Sequence, residues 1–312
     1  MTASSPGAGA LVLGGDLGGT STRILVTDLA GRPVGRGTAG GGNPTAHPAT
    51  ARDALAVALA EALRGVDPGR VRAGVLGMAG GGVLRDPMVR AAYGDAWGAA
   101  GLIGRPEIRS DVEVAFAAGT EATTGSVLVA GTGAVAARIE SGRLVATAGG
   151  HGWLLGDEGS GFWLGREAVR VTLHALDEGS PPGPLGEAVL ATLPETADGR
   201  AALVQHAYAQ SPVSLSSLAP LVTAAHDAGD PVAQGIVLAG IDHLVAMFAR
   251  LPEPQPREPV VLAGALTERG TPIGHALRRH LTQRRLDVLS AADPVTGAAA
   301  LARRALLGHP MR

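Results

Sequence analysis

Apolar and polar positions follow two different periods along this chain, and glycine marks where one period gives way to the other. The first forty residues are strand-like, with short Val-, Ile- and Leu-rich runs at residues 11–16, 23–28 and 34–39. Each run is bounded by glycine, aspartate or proline, as strands are. The stretch Leu29-Ala-Gly-Arg-Pro33 suits a hairpin between the last two. Gly40-Gly-Gly-Asn-Pro44 then leads into a helical period over 48–64, a strand over 72–77, a second glycine-rich loop at 79–82 and a helix over 87–100. A short strand at 107–109 runs into Ser110-Asp111, and helical spacing resumes over 112–118.

The plan then restarts. Strands are predicted at 126–130, 134–140 and 143–148, followed by helices near 162–176, 185–193, 200–210, 214–227 and 231–250. Asp230-Pro231 is an N-cap followed by a first-turn proline, and Asp293-Pro294 opens a last helix to about residue 307. Between them, residues 251–259 hold four prolines and read as a linker into a buried strand at 260–263. Antiparallel strands followed by alternating strand and helix predict an α/β chain with mixed sheets.

Both halves open with the same device. Leu11 to Asp28, LVLGGDLGGTSTRILVTD, is a strand, a glycine turn and a second strand, with Asp16 at the end of the first strand. Gly18 and Gly19 let the backbone approach a ligand closely, and Thr20, Ser21 and Thr22 add hydroxyls beside free N–H groups. Such a turn is an anion cradle with a carboxylate beside it. Val127 to Ala137, VLVAGTGAVAA, repeats the plan around Gly131, Thr132 and Gly133. Two such hairpins predict two phosphate grips and a nucleotide held between two lobes.

Composition narrows the chemistry. A chain of 312 residues exceeds the usual size of a single core, and 46% apolar residues are enough for two. A net charge of -2 with no basic block argues against nucleic acid as a partner. No apolar run reaches the roughly 20 residues that span a bilayer. The start, MTASSPGAGA, lacks the basic flank and apolar centre of a secretory signal. A soluble, cytoplasmic protein with no membrane partner is expected. The absence of cysteine excludes disulfides, thiolate catalysis and cysteine-held zinc or iron–sulfur clusters. The absence of lysine excludes a Walker-type P-loop and the protein-kinase pattern. A chain of this composition that binds ATP must use turn backbone, hydroxyls and a metal.

Several residues are candidates for that chemistry, each with a plainer alternative. Asp16 suits Mg²⁺ held through water, or caps its turn. Asp111 lies at a strand end, where ligands of α/β sheets sit. It can act as a base in phosphoryl transfer, or as the N-cap of the next helix. Residues 149–161, GGHGWLLGDEGSG, set His151, Trp153, Asp157 and Glu158 among glycines. The carboxylates are suited to sugar hydroxyls, or the segment is a tight connection with solvated charges. Asn43 is a ligand residue or a turn former. Gly264 admits an adenine or ribose, or ends its strand. His47, His174, His206, His226, His243, His275, His280 and His309 have no metal-like spacing and read as surface or helix-packing residues.

Together these residues resemble the superfamily of sugar kinases, heat-shock ATPases and actin. Its first phosphate loop is matched by Asp16-Leu-Gly-Gly-Thr20, its second by Gly131-Thr-Gly133 and its adenosine segment by Val261-Leu-Ala-Gly-Ala265. Within it, the chain is similar to the N-acetylglucosamine kinase branch grouped with the BadF/BadG/BcrA/BcrD ATPases. The narrowest match is the Gly-Asp-Glu-Gly-Ser block within 149–161, continuing into Phe162-Trp-Leu, and the resemblance runs from Leu11 to about Leu307. It implies a two-lobed α/β ribonuclease H-like fold of the actin/hexokinase type, with a mixed sheet flanked by helices in each lobe and a central cleft. The lobes fall at 1–114 and 115–292, and 293–312 returns as a helix to the first lobe.

The same resemblance implies roles. Asp111 is the base on the sugar 6-hydroxyl. Asn43 and Asp157 hold the sugar, with Gly80 in the second glycine loop and Gly150 and His151 beside them. Gly18, Gly19, Thr20, Thr22, Gly131, Thr132 and Gly133 hold phosphates, Gly264 and Ala265 meet adenosine, and Asp16 organises Mg²⁺. Two positions depart from the family: Ser21 stands where lysine is common, and Met78-Ala-Gly-Gly-Gly82 lacks a serine found in some animal relatives. The expected activity is ATP-dependent phosphorylation of an amino sugar, N-acetylglucosamine foremost, with glucosamine, glucose and other hexoses as rivals. A homodimer is expected, as in relatives. Activator ATPases of the same grouping hold an iron–sulfur cluster through cysteines, which this chain lacks. A non-catalytic sugar sensor is the other alternative, against which the intact base and phosphate loops stand.

Overall fold

The computed structural model describes residues 9–44, 47–79, 86–194 and 199–308. In chain order its first elements are β1 (Leu11–Leu17), β2 (Thr22–Asp28), β3 (Pro33–Ala39), α1 (Ala51–Ala62), β4 (Val71–Met78), α2 (Pro87–Ala99), β5 (Glu107–Ser110) and α3 (Asp111–Gly119). There follow β6 (Gly125–Ala130), β7 (Ala134–Glu140), β8 (Arg143–Gly149), α4 (Gly161–Asp177), α5 (Gly183–Leu190), α6 (Gly199–Tyr208), α7 (Ala219–Asp227) and α8 (Pro231–Phe248). The last are β9 (Pro259–Ala263), α9 (Pro272–Gln283), β10 (Asp287–Ser290) and α10 (Pro294–Leu306). They form two compact units. The first takes in the chain up to Thr124, Ile139–Leu144 and the residues from Ala291, and the second takes in Gly125–Arg138 and Val145–Ser290.

The first unit is a sheet in the order β3-β2-β1-β4-β5. β1 and β2 pair antiparallel, as do β2 and β3, whereas β1–β4 and β4–β5 are parallel. β1, β2 and β4 are largely buried and apolar on both faces because both faces are covered, whereas the edge strand β3 is mostly exposed. Leu11, Leu13 and Leu17 point to one side, where they pack with Leu55 and Leu59 of α1 and Tyr93 and Trp97 of α2. Val12 and Val75 point to the other, where Val114 of α3 and Ala298 and Leu301 of α10 close a second core.

The second unit is a sheet in the order β10-β9-β6-β7-β8. β6–β9 and β9–β10 are parallel. β6 and β7 are neighbours joined by only the turn 131–133, which requires them to run antiparallel. The core combines Leu128, Val260 and Leu262 of the sheet with Trp163 and Leu164 of α4, Val222 of α7, Leu244 of α8 and Leu277 of α9. By length and composition alone, α8 is apolar enough to cross a membrane. Its Ala233, Ile236, Val237, Gly240, Leu244, Met247 and Phe248 are buried within this unit.

Two stretches differ from the sequence expectation. The helix predicted over 214–227 is a 3-10 segment, Pro212–Leu218, followed by α7. Pro220 in the first turn of α7 explains the break, since it has no N–H to continue the preceding hydrogen-bond ladder. The elements α9 and β10 were not expected at all. Thr271 caps α9 by accepting the Gly274 N–H, and Pro272 opens its first turn.

Candidate functional site

In the first unit, the turn between β1 and β2 closes with a hydrogen bond from Gly18 N–H to Ser21 O at 2.9 Å. The Gly18 carbonyl accepts from both Gly42 N–H and Asn43 N–H at 3.1 Å, so the 40–43 loop is tied to the turn. Gly19 and Thr20 remain exposed. Thr22 does not present its hydroxyl to a ligand as expected: it is fully buried and donates to Gly40 O at 2.8 Å. His47, read as a surface or packing residue, instead places a ring nitrogen on the Gly19 carbonyl. Tyr93, which the sequence did not single out, donates its hydroxyl to Gly42 O at 2.8 Å. Burial pushes that phenol up to about 12, so it stays a donor. Asn43 is buried and donates its amide to Ala79 O at 3.2 Å. Gly80 lies outside the described residues.

Asp16, the last residue but one of β1, lies directly opposite Arg23 of β2. Their side chains form an ion pair, and a second arm of Arg23 reaches Asp293, the N-cap of α10, at 2.9 Å. Burial raises the pKa of Asp16 and outweighs the opposing pull of Arg23, with Asp293 adding to the rise.

Asp111 is the first residue of α3, not its cap. Ser110 is the N-cap, accepting the Glu113 N–H, while the Glu113 carboxylate accepts Ser110 N–H at 2.8 Å in a reciprocal capping box. The cap is therefore filled by a neighbour, and the Asp111 carboxylate is left for other use. It accepts its own helix's Val112 N–H at 2.9 Å. Burial pushes its pKa up to about 6, against the Val112 N–H and with help from the charges of Asp16 and Glu113.

In the second unit, the Gly131-Thr-Gly133 turn rests on the start of α4. Gly131 O accepts Gly161 N–H at 2.7 Å and Thr132 O accepts Phe162 N–H at 3.1 Å, while Ser160 caps the helix. Asp157 is buried in a left-handed conformation, φ 62°, and accepts Ala134 N–H through Oδ1 at 3.1 Å. A side chain at Gly133 would place a Cβ 3.0 Å from that carboxylate, crowding it against the turn. Burial raises the pKa of Asp157, against the Ala134 N–H, with Glu158 adding to the rise and His151 opposing it. Gly150 N–H donates to Ala134 O at 2.9 Å, and Gly150 and His151 are exposed. The loop 149–161 thus belongs to the same local arrangement as the second glycine turn.

Gly264 follows β9 with φ 93°, and a Cβ there would lie 2.4 Å from Ala130 O. Only glycine lets the end of β9 lie against the start of the second turn. Beside it is a cavity of about 350 Å³ lined by Gly131, Thr132, Gly161, Ser216, Ala219, Pro220, Thr223, Ala265, Leu266 and Thr271. That volume is in the range of small-molecule sites. Gly131, Thr132 and Ala265 were expected there. Ser216, Ala219, Pro220 and Thr223 were missed, and the proline that splits the predicted 214–227 helix was their signal.

The chain is 26% identical to the N-acetyl-D-glucosamine kinase of Dictyostelium discoideum, over 94% of this chain and 97% of that protein. A local match of 79 residues, 37% identical, links it to the N-acetylmuramic acid/N-acetylglucosamine kinase of Clostridium acetobutylicum, covering 25% of this chain and 26% of that protein. Among solved structures, a candidate N-acetylglucosamine kinase from Chromobacterium violaceum superposes with a TM-score of 0.73 at 27% identity, over 94% of this chain and 99% of that one. The fold class expected from the sequence, an α/β fold of the actin/hexokinase-type sugar kinases with mixed sheets flanked by helices, is shown by this likeness. Residues 13–302 match the BadF/BadG/BcrA/BcrD ATPase family, and the chain belongs to it.

Proposed function

We propose that the chain is an ATP-dependent sugar kinase that phosphorylates the 6-hydroxyl of an amino sugar, N-acetylglucosamine foremost. The observation that carries the reading is Asp111: a carboxylate at a helix start, released from capping by Ser110 and Glu113 and pushed up to about 6. A base poised near neutrality is what a hydroxyl nucleophile needs. Asp111 takes the proton of the sugar O6–H as O6 bonds to the γ-phosphorus of ATP. The bond to the β–γ bridging oxygen breaks, and that oxygen leaves on ADP with the electron pair. The exposed Gly18–Thr20 turn and Gly131 and Thr132 grip phosphates through backbone N–H and hydroxyl groups, in a chain with no lysine to do so. The adenosine occupies the cavity beside Ala265.

Asp16 suits a magnesium ion: it is a hard oxygen donor beside a phosphate-binding turn. Magnesium is commonly held by one or two carboxylates together with water and phosphate oxygens. When bound, the ion neutralises the phosphate charge. Asn43, Gly150 and His151 are the proposed contacts of the sugar, and Asp157, whose Oδ1 is committed to Ala134 N–H, offers its other oxygen to a sugar hydroxyl. A cytoplasmic homodimer is part of the reading, and sedimentation at working concentration tests the dimer.

Coupled release of ADP, measured with N-acetylglucosamine, glucosamine, glucose, N-acetylmannosamine and N-acetylmuramic acid in parallel, tests the activity. N-acetylglucosamine is expected to have the highest kcat/KM. Turnover of none of the five would end the sugar-kinase reading.

A further inference from the structure

Beneath Asp111 lies a buried ionic hub that the reaction itself does not use. Glu113, 8% exposed, accepts four hydrogen bonds: Ser110 N–H at 2.8 Å, Ser110 Oγ–H at 2.9 Å, Arg109 Nη1 at 2.9 Å and Leu144 N–H at 3.3 Å. Arg109, 5% exposed, also donates to Gly142 O at 3.0 Å, and its Nε lies 2.9 Å from Glu107. The Gly142 N–H in turn donates to Thr123 O at 2.7 Å. Through two side chains, the first turn of α3 is therefore fastened to the end of β5 and to the 139–144 hairpin tip, which belongs to the same unit. A capping box alone needs only Ser110 and a glutamate or glutamine at 113. It does not need a buried arginine on the carboxylate, nor a hairpin tip on both members of the pair. Burying an ion pair this deeply carries a desolvation cost that stability alone does not explain.

We propose that Glu113, locked by Arg109, is a positioning residue for Asp111: it sets the pitch of the first turn of α3, and so the aim of the base, from the hairpin tip. The inference rests on Asp111 as the base. A one-ångström error in aim affects the chemical step more than the binding of either substrate. Glu113 also acts through charge, because with Asp16 it is one of the two carboxylates that add to the effect of burial on Asp111, while Arg109 faces Glu113 itself and is paired in turn with Glu107.

The test compares Glu113→Gln, Ser110→Ala and Asp111→Asn in the full-length protein by steady-state kinetics across pH. In Glu113→Gln, kcat is expected to fall at least about tenfold while the KM values for sugar and ATP stay within about threefold. The acid limb of its kcat/KM profile is expected to move to lower pH, because a like charge near the base is gone. A merely structural glutamate would lower activity only in proportion to the folded fraction, with kcat per folded molecule unchanged, and that result overturns the proposal. Should Glu113→Gln not fold, Ser110→Ala decides: it keeps the Arg109 pair but loses the serine half of the box. A lowered kcat at unchanged KM supports the proposal, and wild-type kcat overturns it. Asp111→Asn separates the two readings. An active Asp111→Asn refutes the base, whereas an inactive one beside an unaffected Glu113→Gln refutes the positioning role alone.

Discussion

At Asp111, burial outweighs the Val112 N–H, and the charges of Asp16 and Glu113 add to it, so that the carboxyl titrates at about 6 instead of its ordinary 3.8. Activity depends on the ionised form, so kcat/KM is expected to fall as pH drops through about 6. A profile with no acid limb near that pH would contradict the assignment. The stability consequence has the opposite sign. A carboxyl whose pKa is raised by folding favours the fold when protonated, and that advantage is lost as pH rises from about 3.8 through about 6. At neutral pH the ionised group therefore costs up to about 3 kcal/mol, at 1.36 kcal/mol per unit. Asp111→Asn is expected to lose about 10²-fold or more in turnover, to keep binding sugar by calorimetry, and to raise Tm at pH 7.5. Position in the sequence was enough to single out Asp111, at the end of a short strand, and Asp157, in a glycine-dense loop. It did not reveal which hydroxyl turns inward at Thr22, or that His47 and Tyr93 hold carbonyls of the two loops near Asn43. Those depend on contacts between segments far apart in the chain.

Helix α8 begins at Asp230, which is 5% exposed and accepts Val232 N–H, Ala233 N–H and, across from α5, Leu185 N–H. Burial tends to raise its pKa, but the three backbone donors prevail and hold it below the ordinary value. Its stabilisation is thus present above about pH 4 and is lost as pH falls through the lowered pKa. Asp230→Ala is expected to cost about 2–3 kcal/mol by urea denaturation at pH 7, and a difference under about 0.5 kcal/mol would refute the cap. At the end of β9, Gly264→Ala forces a Cβ onto Ala130 O in a left-handed conformation. It is expected to lower Tm and raise the KM for ATP, because the clash lies beside the second turn. The Asp-Pro signals made the starts of α8 and α10 legible in the sequence, and the glycine hairpins did the same for β1–β2 and β6–β7. The same kind of signal, Thr271-Pro272, stands before α9, and Ile273, Leu277 and Leu281 form its buried stripe at four-residue spacing; the arginines and histidines between them masked that stripe in the sequence. The four residues of β10 are too few for a period to register.

At the scale of the molecule, the first unit is assembled from three separate stretches of chain. Its sheet is covered on one side by α1 and α2, close in sequence, and on the other by α3 and by α10 from the far end. A chain ended at Ser290 is expected to leave Val12, Val75 and Val114 uncovered, which increased binding of a hydrophobic dye and lowered solubility would report. Native dye binding by the shortened chain would refute that role for α10. The same arrangement has a consequence in time. A ribosome adding about 5–20 residues per second releases β4 on the order of ten seconds or more before α10. Through most of that interval the nascent sheet has one apolar face covered only by α3, and aggregation during synthesis, more than unfolding afterwards, is the hazard this fold has to survive.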